Sequence, residues 1–366
     1  MAVSVGDADA AAGRPYCVVD AFTAERFAGN PAAVVLQADG LTDRHMQAVA
    51  AEFNLSETAF ILPPTTADAD VRLRWFTPTT EVAMCGHATI AALHVLATSD
   101  ETPVFHTPDG PVRGEHVVRS PTSDAPVAGA PAACPLDVTP SGMSADPDAG
   151  SVTRIETKSG VLTALVVPRP NGDGTDRSGR TDRIIWLELA APTLVPVTVS
   201  GFEMAEVLHV PADALDRSMP AVKTQDGDLI VFVADVRTLG DLRSERGPLI
   251  KMMRRERVRG LCVATLNTLT PSISVQSRFF APVVGVDEDP VTGSVHGPLA
   301  VHVVKQGRVP VLDGVAGLLC VQTGAGGRAG LVRVVVQQQR RDPQPSAASS
   351  PASARGPAQG HRPGPA

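Results

Sequence analysis

Glu57 and Asp289 are two carboxylates that accompany the most regular motifs of this 366-residue sequence. His87 and Ser294 hold equivalent places in those motifs, each directly after a glycine. Isomerisation of a carbon acid needs a base that takes a proton, donors that hold the enolate-like charge, and a site that returns the proton. These four residues supply each part, so they form a candidate site for proton transfer.

Each of these residues also has a simpler structural interpretation. A glutamate on a strand is often a solvated rim residue, and an Asp-Pro pair commonly starts a turn or caps a helix. His87 could equally be a core or capping histidine. Cys85, two residues earlier, adds another possibility, a cysteine-based hydrolase in which His87 activates the thiol. At that spacing on a turn the two side chains need not face each other, and the sequence alone leaves these alternatives open.

A motif that occurs twice positions the candidate residues. Residues 74–89 read RWFTPTTEVAMCGHAT, and a degenerate copy, RFFAPVVGVDEDPVTGS, occupies residues 278–294. The matched pairs are Arg74 with Arg278, Phe76 with Phe280, Pro78 with Pro282, and Val82 with Val286. In each copy a β-type segment passes through a proline-bounded turn into a helix. The two copies predict a duplicated fold of two similar halves.

Each copy closes on a glycine, Gly86 or Gly293, at the start of the predicted helix. A helix N-terminus presents N–H groups without intrahelical partners and a partial positive charge. Two such ends that face each other would hold an anion in a cleft between the halves. This cleft is the candidate active site, and a small molecule is the expected partner.

The strand that carries Glu57 sets the environment of its carboxyl group. The pattern of residues 56–61 alternates, which places Glu57 on the same side of the sheet as Ala59 and Ile61. A carboxyl group there is either at an exposed rim or partly buried, and burial would raise its pKa toward the range of a general acid or base. A helix over residues 42–53, capped by Thr42, is predicted to precede this strand.

Composition divides the chain into six segments. Residues 106–150 and 340–366 are crowded with Pro, Ala and Ser, and cannot bury enough apolar surface to order themselves. The expected segments are a disordered N-terminus (1–15), an N-terminal half (16–105), a low-complexity insertion (106–150), the remainder of that half with a crossover (151–190), a C-terminal half (191–339) and a disordered tail (340–366).

Composition also excludes several classes of protein. A net charge of −7 opposes a nucleic-acid surface, and the basic run over residues 251–259 is typical of the solvated face of a helix. No apolar run approaches the roughly 20 residues of a membrane helix, and the N-terminus does not resemble a secretory signal. Five cysteines without CxxC spacing argue against a disulfide framework or a zinc site. We expect a cytoplasmic protein without a metal, a nucleic-acid partner or a membrane.

Four ordered motifs resemble the PhzF family of phenazine-biosynthesis-like isomerases. They are DAFTAERFAGNPAAVVL (20–36), NLSETAFI (54–61), RWFTPTTEVAMCGHAT (74–89) and EDPVTGS (288–294). The resemblance is closest to the vertebrate branch of that family, the MAWD-binding-protein-like proteins. It implies an α+β fold of the diaminopimelate-epimerase type, with two pseudo-symmetric halves that are each a curled β-sheet around a central helix.

The resemblance also implies a role for each candidate residue. Glu57, in the SET motif, would be the acid/base that moves a proton between substrate carbons, while His87 and Asp289 would flank the substrate. The groups implied to bind the substrate carboxylate are Gly86, Gly293 and Ser294. No cofactor is implied.

Two functions from different classes follow as expectations. The first is a cofactor-independent isomerase of a small carboxylate-bearing metabolite, with glutamate acid/base catalysis in the cleft. The alternative is a non-catalytic adaptor that keeps the fold and binds a protein partner of the MAWD or WD-repeat type, as the name of the vertebrate branch suggests. A homodimer is a further expectation.

Overall fold

The computed structural model describes residues 13–98, 151–168 and 183–338. It also describes the backbone of a short hairpin, β6 (Val104–Thr107) and β7 (Gly110–Arg113). Most of the predicted insertion and nearly all of both predicted tails lie outside these residues, so the predicted segment boundaries and the predicted disorder stay predictions. No helix within the described ranges is long and apolar enough to cross a membrane.

The first half of the protein is an eight-stranded sheet. Its strands are β1 (Tyr16–Ala21), β2 (Asn30–Val35), β3 (Thr58–Leu62), β4 (Val71–Phe76), β5 (Glu81–Val82), β8 (Ser151–Thr157), β9 (Gly160–Pro168) and β10 (Arg183–Leu187). Their order is β1-β2-β3-β4-β8-β9-β10, with β5 beside β4. The pairs β2/β3 and β4/β8 are parallel, and the other pairs are antiparallel.

The second half repeats this arrangement. Its strands are β11 (Leu194–Pro196), β12 (Val222–Thr224), β13 (Asp228–Phe232), β14 (Gly260–Thr265), β15 (Val275–Ala281), β16 (Val286–Asp289), β17 (Val315–Thr323) and β18 (Ala329–Gln337). Their order is β11-β12-β13-β14-β15-β17-β18, with β16 beside β15. The pairs β13/β14 and β15/β17 are parallel, at the places that β2/β3 and β4/β8 hold in the first half.

One apolar helix packs against each sheet. Helix α2 (Gly86–Thr98) packs in the first half and α6 (Gly293–Lys305) in the second, and both are buried over most of their length. Helices that are apolar on nearly all sides are stable only when surrounded, which explains their central position. The other helices contribute to clusters on the opposite sheet faces: α1 (Asp43–Phe53), α3 (Gly201–Leu208), α4 (Val236–Asp241) and α5 (Arg246–Glu256).

The alternation predicted for the strand after Glu57 is confirmed by its packing. Ala59 and Ile61 pack with α2, whereas Phe60 packs with α1 on the other face of the sheet. The predicted helix cap is also present, because the Thr42 side chain accepts a hydrogen bond from the backbone N–H of His45. Strand β3 begins at Thr58, so Glu57 lies just before the strand rather than within it.

The two copies of the sequence motif adopt the same local structure. Arg74 pairs with Glu81 at 2.8 Å, and Arg278 pairs with Glu288 at 2.7 Å. Each guanidinium also lies over the aromatic ring two residues later, at 5.2 Å in the first half and 5.1 Å in the second. Such cation–π contacts help to orient an arginine as well as stabilise it. The predicted duplication, with two curled sheets that each hold one central helix, is therefore confirmed.

Candidate active site

The N-terminal ends of the two central helices face each other between the halves. A Cβ atom built on Gly86 would lie 3.8 Å from the Cα atom of Gly293 and 3.8 Å from the backbone nitrogen of Ser294. A Cβ atom on Gly293 would lie 2.8 Å from the Cζ atom of Phe22, so a side chain there would require the Phe22 ring to shift. Glycine at both positions thus allows the backbones of the two helix ends to approach each other closely.

A polar cluster beside the first helix end contains Glu57. The Oε2 atom of Glu57 lies 3.5 Å from the Nε2 atom of His87, on the first turn of α2. The Oγ atom of Ser56 lies 3.4 Å from the same ring nitrogen, and the Sγ atom of Cys85 lies 3.4 Å from the other ring nitrogen, Nδ1. The structure therefore brings Glu57, His87 and Cys85 together around one buried imidazole.

Asp289 is held at the same cleft by donors from both halves. Its Oδ1 atom accepts a hydrogen bond of 2.9 Å from the Asn30 side chain, and its Oδ2 atom accepts one from the Thr292 hydroxyl. Gln322 donates to the backbone carbonyl of Asp289 at 2.7 Å and accepts from the backbone N–H of Thr292 at 2.9 Å. These contacts fix the carboxylate in one orientation at the base of α6.

The buried environment shifts the pKa values of these groups. Burial raises the pKa of Glu57 and of Asp289, and the charge of Glu57 raises the pKa of Asp289 further. Burial lowers the pKa of His87, so this imidazole is neutral at physiological pH, with Asp289 opposing the shift. Burial also raises the pKa of the Cys85 thiol well above its usual range, and the charge of Glu57 raises it further. The site therefore holds carboxyl groups with raised pKa values beside a neutral histidine and a protonated thiol.

The same cluster bears on whether a metal could bind. One ligand atom each from Glu57, Cys85 and His87 lies within 4.8 Å of the others, close enough to surround a cation. A cysteine binds a metal as thiolate, so a metal here would have to displace the proton of Cys85, whose pKa is raised by burial.

Several residues of the site were not among the sequence candidates. Asn30 and Ser56 join the two carboxylate clusters, because the Oγ atom of Ser56 donates to the Oδ1 atom of Asn30 at 3.4 Å. Thr292 and Gln322 support Asp289. Asn30 begins the apolar strand β2 and lies in one of the motifs that carried the family resemblance. That motif is the signal by which the sequence could have identified it. Gln322 lies within β17 and has no comparable signal in the sequence.

Comparisons with known proteins agree with this fold. Residues 19–123 and 120–349 match the PhzC-PhzF family, described as phenazine biosynthesis-like protein. An uncharacterized isomerase of Pseudomonas aeruginosa is 34% identical over 77% of this chain and 78% of the relative. The human phenazine biosynthesis-like domain-containing protein is 31% identical over 78% of this chain and 82% of its own length.

Solved structures share the architecture. The Bacillus anthracis phenazine biosynthesis protein of the PhzF family superposes with a TM-score of 0.64 at 24% identity, covering 88% of this chain and 90% of the other. A predicted epimerase from Pseudomonas aeruginosa gives a TM-score of 0.56 at 18% identity, covering 90% of this chain and 100% of the other. The predicted diaminopimelate-epimerase-like fold class is confirmed.

The predicted enzyme class agrees with these findings, because several relatives carry the name isomerase. The family match spans both halves, and relatives above 30% identity cover more than two thirds of the chain. The chain therefore belongs to the PhzC-PhzF family of phenazine biosynthesis-like proteins.

Proposed function

We propose that this protein is an isomerase in which Glu57 moves a proton between two carbons of a small carboxylate-bearing metabolite. The observation that carries the proposal is the position of the Glu57 carboxyl group, next to His87 and beside the opposed helix ends. Because its pKa is raised by burial, Glu57 is a stronger base than a solvated glutamate and a usable acid once protonated.

The contacts favour Glu57 over Asp289 as the group that carries the proton. Both oxygens of Asp289 accept hydrogen bonds, from the amide of Asn30 and the hydroxyl of Thr292. Glu57 accepts hydrogen bonds from the Ser56 hydroxyl and the Cys85 thiol, and a thiol is a weak donor that competes less with a proton. About a fifth of the Glu57 side chain is exposed, so this carboxyl group borders the cleft where a substrate would lie. Asp289 is better placed to orient the substrate.

In the proposed reaction a C–H bond of the substrate breaks and the proton moves to the Glu57 carboxylate. The electron pair remains on the substrate as an enolate-like anion, and Glu57 then delivers the proton to a second carbon of the same conjugated system. The neutral His87 can donate a hydrogen bond to this anion from the ring nitrogen that carries its proton. No group outside the substrate and the protein is needed to balance the step.

The opposed helix ends are the proposed binding site for the substrate carboxylate. The backbone nitrogen of Ser294 lies near Gly86, and the first turns of both helices carry N–H groups without intrahelical partners. Fixing the carboxylate there would place the rest of a small substrate near Glu57. Gly86, Gly293 and Ser294 therefore keep the binding role that the family resemblance implies.

The experiment that tests this proposal is a screen for proton exchange. Small carboxylates are incubated with the protein in heavy water, and loss of C–H signals is followed by NMR for the wild type, Glu57→Gln and the control Glu52→Gln, which changes an exposed glutamate of α1. We expect Glu57→Gln to lower exchange by roughly 10²- to 10⁴-fold. Full exchange in Glu57→Gln, or equal loss in both variants, would show that Glu57 is not the base.

The other expected functions stay predictions. A protein adaptor would keep its activity in Glu57→Gln, and a cysteine hydrolase would lose it in Cys85→Ser while Glu57→Gln remained active. The WD-repeat partner, the homodimer and the cytoplasmic location are likewise predictions, for which binding assays, size measurement and cell imaging are the direct tests.

A further inference from the structure

The pseudo-symmetry of the two halves identifies the residue that stands opposite Glu57. In the first sheet Phe60 lies opposite Arg74, and in the second sheet Val263 lies opposite Arg278, the matching arginine. Phe60 therefore corresponds to Val263. Counting back along both strands, Glu57 corresponds to Gly260 and Ser56 corresponds to Arg259.

The second half has no room for a counterpart of the Glu57 side chain. A Cβ atom built on Gly260 would lie 2.2 Å from the Cζ atom of Phe279 and 2.6 Å from the Oδ1 atom of Asp228. The Phe279 ring and the Asp228 carboxylate thus occupy the space that a side chain at position 260 would need. The polar residue that this half offers at the corresponding strand end is the preceding one, Arg259.

Arg259 is a half-exposed cation whose guanidinium is held in place by the buried Asp228. Its Nη2 atom donates to the Oδ2 atom of Asp228 at 3.0 Å, with 45% of the Arg259 side chain exposed and only 2% of the Asp228 side chain. The charge of Asp226 also acts on this guanidinium, which has five N–H donors in all. The sequence suggested that Arg259 belongs to a basic helix face, which is wrong, because α5 ends at Glu256.

The pseudo-symmetry of the halves gives Arg259 the place that Ser56 holds in the first half, where Ser56 contacts His87 and Asn30 beside the opposed helix ends. The charge of Arg259 also acts on the proposed base, because burial raises the pKa of Glu57 and the charge of Arg259 opposes that rise. Glu57 and Asp289 would repel a second anionic group of a substrate, so such a group needs a cation beside it.

We propose that Arg259 binds a second anionic group of the substrate, so that the preferred substrates are dicarboxylates or similar dianions rather than monocarboxylates. This proposal rests on the proposed function, since it assigns the first carboxylate to the opposed helix ends. A guanidinium suits the task because it can bind a carboxylate with two parallel hydrogen bonds. Asp228 acts as a positioning residue that holds the guanidinium in place.

The test compares two binding probes of equal carbon number, butyrate with one carboxylate and succinate with two, and adds glutarate to vary the spacing. Affinities are measured by calorimetry for the wild type, Arg259→Gln, Arg259→Lys and the control Arg254→Gln, which changes an exposed arginine of α5. We expect the wild type to bind the better dicarboxylate about ten-fold or more tightly than butyrate. Arg259→Gln should remove this preference by weakening dicarboxylate binding much more than butyrate binding, Arg259→Lys should keep part of the preference, and the control should keep all of it.

Arg259→Gln leaves the buried Asp228 without its ion-pair partner, so folding is controlled with the double variant Arg259→Gln/Asp228→Asn and thermal melts. The proposal is overturned if the wild type binds neither dicarboxylate more tightly than butyrate, or if a folded Arg259 variant loses affinity for all three probes equally. The binding readout is independent of turnover. The two proposals can fail independently. Proton exchange without a preference for dicarboxylates would overturn the role of Arg259 and leave that of Glu57 intact. A preference for dicarboxylates without proton exchange would do the reverse.

Discussion

The side-chain amide of Asn30 joins the two halves of the protein by donating to the Oδ1 atom of Asp289 at 2.9 Å, across 259 residues of sequence. The same amide donates to the backbone carbonyl of Val291 at 2.8 Å. Asn30 is almost fully buried, so these bonds form away from bulk water. One residue of the first half therefore fixes both the carboxylate and the backbone at the entrance to α6.

Replacing Asn30 by alanine should weaken this connection. The variant leaves the Asp289 carboxylate without one of its donors, and a lost hydrogen bond to a charged group costs about 1.5–3 kcal/mol of unfolding free energy. Urea unfolding at neutral pH measures the change. The control Asn267→Ala alters an exposed asparagine and should have little effect. An unchanged midpoint for Asn30→Ala would mean that water replaces the amide at no cost.

Glu57→Gln should stabilise the protein, and the gain should depend on pH. Burial raises the folded-state pKa of Glu57 above its ordinary value of 4.5. The stability contributed by the protonated carboxyl is therefore complete below the unfolded-state pKa and is lost as the pH rises through the folded-state pKa. Melting temperatures of both proteins should be similar near pH 4 and diverge toward pH 8, by roughly 2–4 °C for each kcal/mol. A difference that is constant with pH would contradict the raised pKa.

Gly86→Ala should separate ligand binding from folding. The added methyl group would lie 3.8 Å from the Cα atom of Gly293 and from the backbone nitrogen of Ser294. This is an ordinary contact distance, so the methyl group should fit without strain while it occupies space between the helix ends. We expect an unchanged melting temperature and about ten-fold weaker binding of butyrate by calorimetry. The control Gly247→Ala changes a first-turn glycine of α5 that faces open space. Normal butyrate affinity in Gly86→Ala would place the carboxylate elsewhere.

Thiol alkylation should leave the activity intact. Cys85 is buried and its pKa is raised, so the reactive thiolate is scarce, whereas Cys17 is exposed. Mass spectrometry after treatment with iodoacetamide should show modification of Cys17 before Cys85, with proton exchange preserved. Cys17→Ser serves as the control for this first site. Rapid modification of Cys85 with parallel loss of activity would favour the cysteine-based mechanism.

The features that the sequence could predict are those with local signals. Arg74 and Arg278 mark the duplication because each belongs to a short motif whose strand, turn and helix follow one another in sequence. Ala59 and Ile61 could be placed together on one side of the sheet because alternation is a local property of a strand, whereas the start of the strand at Thr58, after Glu57, could not be predicted. The roles of the site residues came from the family resemblance and stay proposals.

Contacts between distant segments could not be predicted in this way. The bond from Asn30 to Asp289 depends on how the two halves meet, and no pattern near Asn30 encodes its partner. Arg259 was misjudged for the related reason that a basic run has the same composition whether it continues a helix or turns into a strand. The end of α5, where Arg257 adopts a left-handed backbone conformation, separates the two cases.

The filled space beside Gly260 limits how this protein could be redesigned. A second carboxylate opposite Glu57 would give a cleft in which one side chain takes a proton from one face of a carbon and another returns it to the opposite face, as stereochemical inversion requires. Gly260→Glu alone is a poor route to it, because the new Cβ atom would lie 2.2 Å from the Cζ atom of Phe279 and 2.6 Å from the Oδ1 atom of Asp228. A carboxylate at position 260 therefore requires the Phe279 ring and the Asp228 carboxylate to be moved or replaced as well. Each single step toward that design would leave either a clash or a cavity beside β14.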